Sequence, residues 1–167
     1  MEKMSFREAV EMTYYGAKVL HPKTIKPLQN KDIKLNVRSF IETDVNGTQI
    51  GSDQLVSYPP ITMIEEDQIL LKITTKDFSF IAEDHLNHIF SLISDHRIKI
   101  RMMKNSALSF DLCILNPENR FEDFISALTE SFDVKMIKDL LLITIRHYNQ
   151  ATINEKLKGR EVVFSEK

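Results

Sequence analysis

Between Gln68 and Lys138 the spacing of apolar residues switches repeatedly between a strand period and a helix period, and nothing else in the chain restricts its fold as strongly. Ile69, Leu71 and Ile73 recur every second residue and predict a strand, after which Ala82, Leu86, Ile89 and Ile93 form the stripe of an amphipathic helix. Ile98, Ile100 and Met102, then Leu108, Phe110, Leu112 and Ile114, alternate with mostly polar neighbours and predict two strands joined as a hairpin. Asn116-Pro117-Glu118 reads as a helix start: a cap, a proline tolerated in the first turn and an acid near the positive dipole end. It leads into Phe121, Phe124, Ile125 and Leu128, and Val134, Met136 and Ile137 close the series as a last strand.

The resulting order, βαββαβ, buries its apolar faces best as an antiparallel sheet with both helices on one side, so the expected class is α+β with a ferredoxin-like arrangement. Further strand signals flank it. Ile61 to Ile64 precedes the series and Leu140 to Ile145 follows it. Thr152-Ile153-Asn154-Glu155 then reads as a capping box, Gly159 as a helix stop and Glu161 to Phe164 as a short strand. These flanks either extend one sheet or begin a second, partial unit around the first.

The amino-terminal segment is punctuated differently, with three of the four glycines and four of the five prolines lying before residue 61. Ser5-Phe6-Arg7-Glu8 is a capping box that predicts a helix from Phe6 to Val19, interrupted at His21-Pro22 because a residue before proline avoids helical dihedrals. A short helix carrying Ile25 and Leu28 and a strand with Ile33, Leu35 and Val37 follow. Residues 42 to 60, with Asn46-Gly47, Gly51-Ser52 and Pro59-Pro60, read as a connection. The expected organisation is therefore 1–60, 61–138 and 139–167.

Composition narrows function by exclusion. A formal charge of −2 supplies no global field for nucleic acid or an anionic membrane, and neither is expected as a partner. Cys113 is the single cysteine, which rules out an intramolecular disulfide framework or a cysteine-based zinc site and fits a reducing cytoplasm. Acidic residues in MEKMSFREAV stand where a signal peptide would be hydrophobic, so no export is expected.

The run EAVEMTYYGAKVLHPKTIKPLQNKDIKLNVRSF, followed by Gly47-Thr48, resembles aspartate kinases. In that family such a run ends the kinase domain and leads into regulatory ACT units of βαββαβ order. The resemblance implies an ACT unit over 61–138 and a partial second ACT-like unit over 139–167. It also implies, for a full-length enzyme using ATP and Mg, phosphorylation of the aspartate side-chain carboxylate at the start of lysine, threonine and methionine biosynthesis. The glycine-rich, lysine-bearing opening that holds nucleotide phosphates in such kinases does not occur here, so this chain alone is expected to be inactive, with no catalytic residue, cofactor or metal of its own.

Family ACT pairs hold an amino-acid effector between a strand-to-helix loop and the end of the second strand of a neighbouring unit. The corresponding residues are Asp77, Phe78, Ser79, Phe80 and Ile81, with Asn105 and Ser106. An effector needs an acceptor for its ammonium, such as Asp77 or the Asn105 carbonyl, and amides at a helix start for its carboxylate. Lysine or threonine is the expected effector, and a homodimer through ACT units the expected assembly. Arg101 stands about where lysine-inhibited relatives have an acid, and the loop lacks a glycine common in effector-binding units.

Other patterns have plainer readings. His85 and His88, beside Glu83 and Asp84, fit a polar helix face better than a metal site. Arg97, Lys99 and Arg101 share one strand face, suited to solvent or an intersubunit contact, with phosphate or an acidic partner as the sharper option. Phe78 and Phe80 fit packing at a helix entrance ahead of a pocket wall, and Asp77 and Ser79 fit helix caps as well as ligand contacts. His21 reads as structural. The rival function is an RNA-recognition module of the same βαββαβ order, which would need exposed aromatics on its central strands, where only Phe110 is available.

Overall fold

The computed structural model describes residues 1–17, 20–42, 44–52 and 57–166. The chain divides into two compact units, one over Glu65–Leu142 and one joining Met1–Ile64 with Ile143–Lys167.

The discontinuous unit opens with strand β1 (Lys3–Ser5), helix α1 (Phe6–Tyr14), helix α2 (Pro22–Asn30) and strands β2 (Leu35–Val37) and β3 (Thr48–Gly51). β3 lies between the other two strands, parallel to β1 and antiparallel to β2. Phe6, Ala9, Ile25 and Ile50 form its core. β3 falls in the stretch expected to be a connection: a four-residue strand with one fully buried apolar side chain, Ile50, leaves too short an alternation to read. α1 is shorter than expected because Gly16 adopts a left-handed φ of 100° just past the Tyr15 C-cap, while Lys18 and Val19 lie outside the described residues. Ser5 Oγ accepts the Glu8 amide at 3.1 Å as expected.

The glutamate half of that capping box is employed elsewhere. Both carboxylate oxygens of Glu8 accept from the Arg146 guanidinium, at 2.8 and 2.9 Å, and His147 Nε2 lies 3.0 Å from Oε1. Arg146 also reaches Glu11 at 3.2 Å and stacks over the Tyr15 ring. Tyr58 packs against His147 and accepts the Ser5 amide on its hydroxyl at 2.8 Å. His21 caps α2 through Nδ1, which accepts the Lys23 amide at 3.1 Å. The expected strand at Ile33 begins only at Leu35, since the Ile33 amide closes the end of α2 on the Leu28 carbonyl after a left-handed Asp32.

The inserted unit contains the βαββαβ series: β4 (Ile61–Thr75), α3 (Glu83–Asp95), β5 (Ile100–Asn105), β6 (Phe110–Leu115), a 3-10 turn (Glu118–Arg120), α4 (Phe121–Ser131) and β7 (Phe132–Arg146). Its sheet runs β5-β6-β4-β7, with β6 antiparallel to both β4 and β5, so the ferredoxin-like reading holds. Ile69, Leu71 and Ile73 of β4 and Phe110, Leu112 and Ile114 of β6 form one buried core with Ile89, Ile93, Phe124 and Leu128 from the helices. Each such side chain contributes about 1.5–3 kcal/mol by leaving water, as an upper bound.

The flanking strand signals are continuous with this sheet. β4 begins at Ile61 and β7 ends at Arg146, each with one left-handed residue at the place where the apolar pattern breaks: Asp67 at φ 56° and Asp139 at φ 58°. After β7, α5 (Gln150–Leu157) starts from Asn149, whose Oδ1 accepts the Thr152 amide at 2.9 Å, so the cap is Asn149 and not Thr152. Gly159 follows the helix at φ 73° as expected, but Glu161 to Phe164 forms no strand. Among the described residues no helix is long and apolar enough to cross a membrane.

Candidate functional site

The strand-to-helix loop of the inserted unit is built by a few local bonds. Thr75, buried at the end of β4, donates its hydroxyl to the Ser79 carbonyl at 2.7 Å, and Lys76 Nζ reaches the Glu130 carbonyl at the end of α4 at 2.9 Å. Asp77 Oδ1 accepts the Ser79 amide at 3.0 Å. The Ser79 hydroxyl and amide hold the fully exposed Asp77 carboxyl below the usual carboxylate range. Asp77 is thus an ionised acceptor on the rim of the loop, positioned by an Asx turn and not by a helix cap.

Neither Asp77 nor Ser79 caps α3. The N-cap is Ala82, whose side chain makes no capping bond and whose own amide donates to His85 Nδ1 at 3.1 Å. A helix start without a side-chain cap leaves its first amides directed at whatever sits before them.

The second expected segment meets this loop. The Ile81 amide donates to the Ala107 carbonyl at 2.9 Å, tying the entrance of α3 to the tip of the β5–β6 hairpin. Asn105 is the last paired residue of β5, opposite Phe110, and its side chain is exposed. Ser106 is committed to the turn: its Oγ accepts the Ser109 amide at 3.1 Å and lies 2.9 Å from Ser109 Oγ. Asp77, Ser79, Ile81, Asn105 and Ser106 therefore belong to two joined segments within one unit. Ile81 is buried and takes part through its backbone.

Phe78 and Phe80 overturn their expected packing role. They are 88% and 70% exposed, and Phe78 is held at a left-handed φ of 58°, a conformation uncommon outside glycine, asparagine and aspartate. Met103 and Leu108 on the same hairpin are also exposed. Thr75, which closes the loop through its hydroxyl, was not legible as a site residue.

Arg101 does not stand as a free cation. It is the extra residue at the bulge between Ile100 and Met102, and its guanidinium lies 2.9 Å from Glu65. It thereby parts from Arg97 and Lys99, which precede β5 and line a cleft with Leu115 and Arg120. Burial foremost, together with the charge of Glu65 and against that of Arg101, pushes the Cys113 thiol up to about 11. His85 and His88 make no metal pair: His88 Nε2 lies 3.3 Å from Ser131 Oγ, and among the described residues no group of three His, Cys, Asp or Glu could hold a metal ion. Phe110 is only 3% exposed, so β4 and β6 offer no stacking platform for a nucleic acid, and the RNA-recognition reading is not supported.

No family model matches the chain. It is 27% identical over 149 residues to a chloroplastic bifunctional aspartokinase/homoserine dehydrogenase of Arabidopsis thaliana, covering 79% of this chain and 15% of that protein. It is 28% identical over 117 residues to the lysine-sensitive aspartokinase 3 of Escherichia coli, covering 68% of this chain and 25% of the relative. Among solved structures, Escherichia coli aspartokinase III in complex with lysine and aspartate superimposes with a TM-score of 0.73 at 23% identity, over 87% of this chain and 34% of that one. The chain thus spans a quarter or less of the length of these two relatives, and the resemblance to aspartokinases holds.

Proposed function

We propose that this chain, whose relatives are aspartokinases, is the amino-acid-sensing regulatory part of such an enzyme and carries no catalysis itself. Residues 61–138 are its ACT unit, residues 1–60 the end of the kinase domain with its linker, and residues 139–167 part of a second ACT-like unit. In the complete enzyme the kinase would transfer phosphate from ATP, with Mg, to the side-chain carboxylate of aspartate in the cytoplasm.

The observation that carries this reading is the bond from the Ile81 amide to the Ala107 carbonyl, which holds the loop and the hairpin tip as one element. That element offers an ionised Asp77 and the exposed side chain of Asn105 for an ammonium, and the uncapped start of α3 for a carboxylate. The pairing of Arg101 with Glu65 neutralises the charge that would otherwise repel a lysine side chain, so lysine and threonine both remain fitting effectors. The bare rings of Phe78 and Phe80 suit a second copy of the unit closing over the effector as a homodimer. Effector binding then shifts a quaternary equilibrium, with a coupling of about 1–3 kcal/mol to the kinase.

Calorimetry and thermal shift with lysine, threonine, methionine and S-adenosylmethionine test this. One of them at a hundredfold excess over its dissociation constant should add about 2.7 kcal/mol of stability. Asn105→Ala and Asp77→Asn should abolish the gain. A chain indifferent to all four at millimolar concentration has no competent effector site.

A further inference from the structure

We propose that the cleft formed by Arg97, Lys99 and Arg120 is a binding site for a small phosphate-bearing anion, separate from the loop at Asp77. The cleft measures about 310 Å³, and Leu115, Asn116, Pro117 and Asn119 also line it. Among the described lining residues there is no carboxylate, and among the described ion pairs none engages Arg97, Lys99 or Arg120. Three exposed cations around one cleft, none of them engaged in a described ion pair, repel one another, so a bound anion lowers the energy of the cleft. Two guanidinium forks and one ammonium match the several oxygens of a phosphate or diphosphate.

The backbone supplies a separate argument. α3 ends in a Schellman motif: the Arg97 amide donates to the Ser94 carbonyl at 3.0 Å and the Ile98 amide to the Ile93 carbonyl at 2.9 Å. The position with positive φ in that motif normally takes glycine, yet Arg97 occupies it at φ 52°. The motif itself gains nothing from an arginine there. What the arginine brings is its charge in the lining of the cleft, at the expense of backbone strain, a pattern associated with ligand sites. The backbone of Lys99 is fixed by its carbonyl, which accepts the Leu115 amide at 3.1 Å and joins the approach to β5 to the end of β6. Arg120 closes the 3-10 turn that leads into α4.

The test uses the full chain and inorganic pyrophosphate, with citrate and sodium chloride at matched ionic strength as comparison arms. Pyrophosphate is expected to bind saturably by calorimetry, and Arg120→Gln to weaken it about tenfold or more. Arg101→Gln, which removes a cation already paired with Glu65, should leave that affinity unchanged. Arg97→Gly is the sharpest variant, since it should raise the melting temperature by relieving the left-handed residue while lowering pyrophosphate affinity. A shift from pyrophosphate no larger than from matched chloride overturns the site. So does an affinity in the Arg97→Gly and Arg120→Gln variants equal to that of the parent chain, and tight binding of citrate without pyrophosphate overturns the phosphate assignment.

Discussion

Replacing Arg146 with methionine keeps most of the side-chain volume and removes the guanidinium that both oxygens of Glu8 accept from, at 2.8 and 2.9 Å. The Glu8 side chain is 6% exposed and that of Arg146 22%, so the variant leaves a carboxylate in a nearly dry place with His147 Nε2, 3.0 Å away, as its remaining close polar neighbour. Losing one member of a buried pair costs about 3–5 kcal/mol, and the partial exposure of Arg146 with the help of His147 places the loss at the lower end, about 3 kcal/mol. In a chain of this size that lowers the melting temperature by about 6–12 °C. All four tyrosines, Tyr14, Tyr15, Tyr58 and Tyr148, lie in the discontinuous unit and there is no tryptophan, so tyrosine fluorescence follows that unit alone. The pH dependence has a definite sign. The hydrogen bond from Arg146 foremost, against desolvation, lowers the Glu8 pKa below 4.5. A depressed carboxylate contributes its full stabilisation above the unfolded value and loses it as pH falls through the folded one. The gap between parent and variant should therefore be flat around neutrality and narrow below pH 4.5. A loss under about 1 kcal/mol at pH 7 places the pair among exposed bridges and refutes the argument; so does a gap that stays constant on acidification.

Two further outcomes rest on other parts of the molecule. Cys113, 7% exposed and with its thiol pushed up to about 11, should react with a disulfide reagent at pH 8 only as fast as the fold opens; a rate that matches free cysteine and ignores denaturant contradicts its burial. At Gly47 an added Cβ would overlap the Val37 carbonyl oxygen and the Arg38 side chain, so Gly47→Ala should destabilise the discontinuous unit by about 1–3 kcal/mol, read by the same tyrosine signal.

What the sequence made legible was whatever repeats with a period. The series from Ile69 to Val134 was readable because each strand and helix buries several side chains on one face, as Leu112, Ile114 and Phe124 show. Short elements were not: β3 buries Ile50 fully but offers no alternation around it. Nor were the left-handed aspartates, since Asp67 and Asp139 break an apolar pattern in sequence while the strand continues in space. At the candidate site the loop and the strand end were expected to come from neighbouring units, whereas the bond from the Ile81 amide to the Ala107 carbonyl joins them within one unit, a contact that no periodic pattern announces. The exposure of Phe78 and Phe80 was not legible, because one aromatic residue serves a core or a contact surface equally well. The Glu8–Arg146 pair spans 138 residues, and no local pattern announces a partner so far away.

That separation bears on the order in which the chain assembles. Closing a loop of 138 residues between Glu8 and Arg146 is entropically dearer than closing a short one, though only logarithmically. Once β4 and β7 are neighbours in the folded sheet, the inserted unit no longer counts as free chain, and the effective loop shrinks to roughly 60 residues, a saving of about 0.7 kcal/mol. The insertion thus acts as a template for its host: the discontinuous unit closes faster after the sheet has formed than before it, and a lesion in the β4–β7 pairing delays the folding of residues it never touches.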